Sequence, residues 1–327
     1  MILGISIFAT KSVDGGPPSL GLPIECTLGI DCWLVNLFDH DPSKGVRDFR
    51  CSDHLYDGHK GTDIGIRDLG AMRKGVYVLA AAPGEVVALR DGMLDHIPSA
   101  DLQLAANRFC GNGIVIRHNA GWETQYCHLK RESILVKRGQ KVVRGQPIGL
   151  VGHSGMTMFP HIHLSIRYNE REVDPFVGLN REKPCEIGER PLWRASVLRA
   201  LSQDMTAIYN VGFAAKRPNV RSIREGLYRD LVFSRNIPAL IFWAEIFWVR
   251  PGDKVRIRIF GPDGELVIDH RSVVKRRQAR WMIFSGRKRL GLQWPSGQYR
   301  GEVLVEREET NARVFRYKAE SNIILKN

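Results

Sequence analysis

Pro160-His161-Ile162-His163-Leu164-Ser165-Ile166 alternates polar and apolar side chains along its length. Successive side chains of a β-strand point to opposite faces, so the pattern predicts a strand with both imidazoles on one face. Ile162 and Leu164 then share the other face and need a core to bury them. The histidine face lines either solvent or a cleft.

The chain on both sides reads as strands joined by tight turns. Residues 114–118 and 123–129 flank Asn119-Ala120-Gly121, and residues 76–79 and 85–89 flank Ala82-Pro83-Gly84; both predict hairpins. Residues 136–149 set glycines between short apolar stretches, again the grammar of a mainly β fold. Beyond residue 180 a helix is predicted over 191–200, and then strands return. Val255-Arg256-Ile257-Arg258-Ile259 alternates cleanly, Gly261-Pro262-Asp263-Gly264 is a turn, and residues 294–301 lead into Glu302-Val303-Leu304-Val305-Glu306. Short strands with regular turns predict a C-terminal β-sandwich-like domain. Three units follow: an irregular N-terminal segment over 1–50, a compact β domain over 51–180 and a β-rich domain over 181–327.

The 327 residues, 43% of them hydrophobic, suffice for two cored domains. No apolar run approaches the roughly 18–20 residues of a membrane helix, so no membrane span is expected. Residues 1–10 are apolar but short, lack a basic start and are interrupted by Lys11. They read either as the stub of a secretory signal or as a first strand; the Gly/Pro-rich residues 12–23, a spacer in composition, favour the stub, and with it the periplasm or the cell exterior is expected. The six cysteines include no CxxC pair, which argues against a cysteine zinc knuckle. Their even number fits three disulfides or a set of buried thiols, and counting does not choose. The net charge of +13 lies wholly in residues 181–327, with 29 Lys/Arg against 16 Asp/Glu. Such a module attracts polyanions, anionic envelope polymers among them. Its strongest cluster is Lys275-Arg276-Arg277 with Arg280 and Arg287-Lys288-Arg289. No helix-turn-helix, zinc-finger or RNA-binding signature accompanies it, so no specific nucleic acid is expected.

Four of the ten histidines stand out by their neighbours. His59-Lys60-Gly61-Thr62-Asp63 puts an imidazole and a carboxylate four residues apart around a glycine, which permits the turn that brings both side chains to one point. By itself this spacing is common in loops. Tyr126-Cys127-His128-Leu129 closes a strand, and alternation turns Cys127 away from whatever His128 faces. A catalytic zinc takes three nitrogen or oxygen ligands and keeps one position open for water. Two histidines and an aspartate satisfy that, and two further histidines are then available to move a proton or steady an oxyanion. Spacing alone does not say which histidine does which.

His59-x-x-x-Asp63, Tyr126-x-His128-Leu129 and His161-x-His163, in this order, resemble the lysostaphin-type zinc metalloendopeptidases. Gly58-His59-Lys60-Gly61-Thr62-Asp63-Ile64-Gly65, the paired glycines of 136–149 and Gly152-His153-Ser154-Gly155 extend the resemblance over roughly residues 55–175. It implies a compact antiparallel β peptidase domain with a narrow groove and Zn2+ at its floor. It implies His59, Asp63 and His163 as metal ligands and His128 and His161 as the catalytic pair. The implied substrate is a peptide bond of bacterial peptidoglycan; the alternative is a non-catalytic scaffold of the same fold that activates another wall hydrolase. Met156-Thr157-Met158-Phe159 departs from the small, Gly/Ser-rich approach usual before the His-x-His strand, which bears on substrate preference. His40 and Asp41 offer either an extra ion site or caps for a turn.

Overall fold

The computed structural model describes residues 16–95, 105–180, 183–229, 232–309 and 312–326. The stretch read as a signal stub, 1–10 with Lys11, lies outside the described residues. The first unit contains β1 (Cys32–Asn36), β2 (Thr62–Ile66), α1 (Leu69–Lys74), β3 (Tyr77–Leu79), β4 (Gly84–Arg90) and β5 (Asn112–Arg117). It continues with β6 (Trp122–Leu129), β7 (Lys141–Val142), β8 (Pro147–Leu150), β9 (His161–Tyr168) and β10 (Arg171–Glu172). Its main sheet runs β1-β2-β9-β6-β5-β4-β7, with β10 paired to β9. The ladders are antiparallel, and the mainly β architecture expected of the chain is what is found.

Strand β9 lies between β2 and β6, and register brings the three together where it matters. Asp63 stands opposite His163 on one side, and Cys127 opposite His163 on the other. The hairpin read from residues 114–129 is present as β5–β6. The one read around Ala82-Pro83-Gly84 is not: β3 pairs with β8, and β4 with β5 and β7. Ala80, Ala81 and Ala82 are fully buried rather than forming an exposed turn. They are small enough to pass under Tyr126, whose Oη accepts from the Ala81 amide at 2.8 Å, while the chain crosses between sheets. A second difference lies upstream. Cys32–Asn36, inside the segment read as irregular, is an edge strand of the main sheet with all five residues buried.

The second unit contains α2 (Ala195–Leu201), β11 (Ala207–Ala214), α3 (Val220–Arg224), β12 (Phe233–Ser234), β13 (Ala239–Val249) and β14 (Lys254–Phe260). It ends with β15 (Leu266–Val273), β16 (Gln278–Lys288), β17 (Gly297–Glu308) and β18 (Val314–Lys326). Helix α2 starts four residues later than read because Leu192 and Trp193 are buried, with the Leu192 backbone bonded to Leu20 and Pro175. Two sheets, β11-β13-β16 and β12-β18-β17-β14-β15, enclose one apolar cluster. Phe242 and Ile246 of β13 meet Val255, Ile257 and Ile259 of β14 and Val303 of β17 there. Strand β14 alternates buried and less buried residues along its length, as its sequence requires.

The two units share a core. Tyr209, Phe247 and Trp248 belong to the same cluster as Trp33, Val35 and Ile162. Arg307, 5% exposed, ties β17 into this junction. It donates to both carboxylate oxygens of buried Asp253 at 2.8 and 2.7 Å, to Thr206 Oγ1 at 2.6 Å and to the Trp248 carbonyl at 2.9 Å. The six cysteines form disulfides Cys26–Cys32, Cys51–Cys185 and Cys110–Cys127. Arg277 and Arg280 of the basic cluster are spent inside the molecule, on Asp53 with the Trp248 ring and on the Phe159 ring.

A second tie is sensitive to pH. Arg250 Nη2 donates to His54 Nε2 at 2.9 Å, His54 Nδ1 meets Ser52 Oγ at 2.9 Å, and Ser52 bonds Asp48. Burial, reinforced by the Arg250 charge, pulls the His54 pKa down to about 4. The folded protein therefore refuses a proton that the unfolded chain accepts near pH 6.5. This stabilisation is complete above pH 6.5 and is lost as pH falls towards 4, in total about 3 kcal/mol. His54→Gln should flatten that part of the curve of unfolding free energy against pH. An unchanged acid slope in the variant would refute the assignment.

Candidate active site

Five predicted residues converge where β2, β6, β9 and the loop before β2 meet. His59, Asp63 and His163 each offer one ligand atom, and the three atoms lie within 4.8 Å of one another. His59 Nε2 is 3.2 Å from Asp63 Oδ2, His163 Nδ1 is 2.7 Å from Asp63 Oδ1, and the two ring nitrogens are 3.1 Å apart. His161 joins from the same strand, with Nε2 at 3.5 Å from Asp63 Oδ1. The His128 ring lies 4.6 Å from that of His161.

The surroundings fix each ring's proton. His59 Nδ1 donates to the Leu37 carbonyl at 2.6 Å, which leaves Nε2 bare. Ser165 Oγ gives its own hydrogen to the Lys60 carbonyl, so it accepts from His163 Nε2 at 2.8 Å, and His163 Nδ1 is left bare. Two bare nitrogens and an acceptor-only carboxylate thus face one another with no hydrogen between them. Such a set repels itself unless a cation sits at its centre, so the donors fit a metal ion. Asn36 Nδ2 donates to Asp63 Oδ2 at 2.7 Å and orients the carboxylate.

The other two histidines are tied differently. His128 Nδ1 donates to the Ser154 carbonyl at 2.8 Å, and His161 Nδ1 to the Phe159 carbonyl at 2.9 Å. Each keeps Nε2 available. His128 holds a left-handed backbone, φ 65°, at the end of β6, which turns its ring out of the strand's alternation. Cys127 is locked to Cys110, whose carbonyl accepts from the His128 amide at 2.8 Å. Cys127 is therefore no ligand, and Cys26 with Cys32 is likewise a disulfide and no metal pair.

Burial works against the Asp63 carboxylate, yet the imidazoles of His59, His161 and His163 hold its pKa well below the carboxylate range. Burial also opposes charge on His59, but Asp63 outweighs it and raises the pKa, so a proton competes with a cation for Nε2. Burial, reinforced by His161 and His163, drives His128 well below the imidazole range and keeps it neutral.

Residues 57–175 match the model of peptidase family M23. The lysostaphin-type resemblance seen in the sequence, over roughly residues 55–175, covers the same stretch. Over 116 residues the chain is 34% identical to the peptidoglycan DD-endopeptidase ShyB of Vibrio cholerae, covering 36% of this chain and 22% of that protein. It is 36% identical to ShyA of the same organism, with the same coverage. The chain spans about a fifth of the length of these curated relatives. Among solved structures it is similar to a zinc containing peptidase from Vibrio cholerae, at 28% identity and TM-score 0.27, covering 44% of this chain and 39% of that one. It is also similar to the catalytic domain of lysostaphin from Staphylococcus simulans, at 23% identity and TM-score 0.28, covering 42% and 85%.

His40 and Asp41 do not join the candidate site. His40 pairs with Asp174 at 2.7 Å, and Asp41 Oδ1 accepts from the Ser43 amide and hydroxyl, as a turn cap does. Gly61 has a different role from the one read in sequence. A Cβ there would stand 2.5 Å from the His163 ring and 2.9 Å from the Leu164 carbonyl. The glycine is needed for close approach of the loop to His163. Gly61→Ala should push His163 off its position and weaken metal affinity by about 10- to 100-fold, measured by competition with a chelator. Unchanged affinity would contradict this role. Asn36 and Ser165 were missed, although both left a trace: Asn36 is the lone polar side chain of an apolar strand, and Ser165 continues the face of His161 and His163.

Proposed function

We propose that this protein is a zinc-dependent endopeptidase that hydrolyses peptide bonds of bacterial peptidoglycan. The observation that carries the reading is the convergence of two bare imidazole nitrogens and one carboxylate beside two histidines with available Nε2 atoms. His59, Asp63 and His163 would hold the ion. Zinc bound there would polarise the scissile carbonyl and acidify water. His128 and His161 share the proton work: neutral His128 accepts a hydrogen bond from the attacking water at Nε2 and orients it, while His161, with Nδ1 tied to a backbone carbonyl, takes the proton at Nε2 and returns it to the leaving amine nitrogen. The M23 match and the two endopeptidase relatives support peptidoglycan as substrate. A scaffold that cuts nothing would have no need of all five residues.

Three disulfides support an oxidising location, the periplasm or the cell exterior. Among the described residues no helix is long and apolar enough to cross a membrane. The remaining positive charge of the second unit would hold the enzyme near anionic envelope polymers. Zinc content and release of soluble fragments from purified walls, for wild type and His161→Ala, test the reading. Wild type should digest walls and His161→Ala should retain zinc without digesting. Stoichiometric zinc with no hydrolysis by wild type would overturn the proposal.

A further inference from the structure

A cavity of about 520 Å3 lies between the first unit and the second and is lined in part by Phe159, but not by His161. Met158, Phe159 and Pro160, on the loop that enters β9, form one wall. Arg221 and Arg224 of α3 and Arg280 of β16 form the other. Phe159 belongs to both places: its ring stacks on His161 with centroids 4.5 Å apart, and Arg280 lies 5.2 Å over it. The cavity is thus one aromatic ring away from a candidate catalytic histidine, and the second unit completes it.

Its charge is unbalanced. Glu245, buried behind the wall, is shared by Arg224 Nε at 3.1 Å and Arg280 Nη2 at 3.9 Å, so one carboxylate serves two guanidiniums. Asp68 also lines the space, but it is already paired with Arg229 at 2.6 Å. Arg221 is exposed and makes no ion pair among the described residues. Arg280 is held by Tyr209 Oη at 3.2 Å and the Met158 carbonyl at 3.4 Å, which suits it to shaping the wall. What remains is positive charge in a concave surface with an apolar side. That combination takes a carboxylate on the guanidiniums and an aliphatic stem against Met158 and Phe159.

We propose that this cavity is a substrate subsite for a carboxylate-bearing segment of the peptide being cut, with Arg221 and Arg224 as its specificity-determining residues. The inference rests on the hydrolase reading above. It gives the bulky Met156-Thr157-Met158-Phe159 approach a purpose, since Phe159 forms the partition between subsite and reacting bond.

The test uses the zinc-loaded full chain and two probes: soluble wall peptides with free carboxylates, and the same peptides after conversion of the carboxylates to amides. Calorimetric Kd and kcat/KM are measured for both. Wild type should favour the carboxylate form about 10- to 100-fold, the worth of one charge-assisted hydrogen bond. The ratio should fall towards unity in Arg221→Gln with Arg224→Gln, through KM rather than kcat. Arg221→Gln alone, at an exposed position, keeps Glu245 paired and should lower the ratio in part. Cleavage of both forms at equal rates by wild type, or full discrimination by the double variant, would overturn the subsite. Discrimination in Kd without cleavage of either form would support the subsite while removing the hydrolase reading.

Discussion

Asp63→Asn is expected to give a folded protein that holds no zinc and digests no peptidoglycan, a loss of at least about a thousandfold in kcat/KM. The change keeps the shape of the side chain and leaves an oxygen for the Asn36 amide. It removes the one formal negative charge set between His59 and His163. Two neutral nitrogens and an amide oxygen do not compensate a dication in a site where His59 and Asp63 are 2% and 1% exposed. Metal content, wall digestion and thermal unfolding with and without zinc separate this from misfolding. Zinc at about 100 times its Kd should stabilise wild type by about 2.7 kcal/mol and the variant not at all. Stoichiometric zinc in the variant, or digestion at the wild-type rate, would sink the ligand assignment.

Arg307→Met is expected to destabilise the protein by about 3–5 kcal/mol without touching the candidate metal ligands. Methionine fills much of the same space but supplies none of the four hydrogen bonds. Asp253, 2% exposed, would be left as a buried carboxylate facing only the Arg250 amide at 2.8 Å. Thr206 and the Trp248 carbonyl would lose a partner as well. The paired variant Arg307→Met with Asp253→Asn removes both charges and should recover at least half of the loss. Urea unfolding of the three proteins measures this. A single-variant loss under about 1 kcal/mol would show that the ion pair adds little to the junction.

The parts of the fold that rest on alternation were legible in the sequence. Val255-Arg256-Ile257-Arg258-Ile259 announces β14 because each second residue faces the sandwich core. The His-x-His strand announces its cleft face for the same reason. What escaped was information held by partners distant in the chain. Ala82-Pro83-Gly84 has the composition of a turn, and only the presence of Tyr126 above the alanines makes it a buried crossing. Gly61 looks like a hinge until the His163 ring, a hundred residues onward, is found to occupy the space a methyl would need. The left-handed backbone at His128 leaves no mark in the residue type. The cysteine pairing likewise depends on which loops meet, and Cys51 with Cys185 brings together residues 134 apart in sequence.

That last bond has a bearing on endurance. His59, Asp63, His128, His161 and His163 all fall between Cys51 and Cys185, so they sit on a covalent ring. A protease that nicks one exposed loop within the ring opens it but frees nothing; both ends stay tethered through the sulfurs. The cut molecule keeps all five residues on one connected piece and can hold them in register through the sheet. Where proteases are present, dismantling this site takes either two cuts or one cut and a reductant.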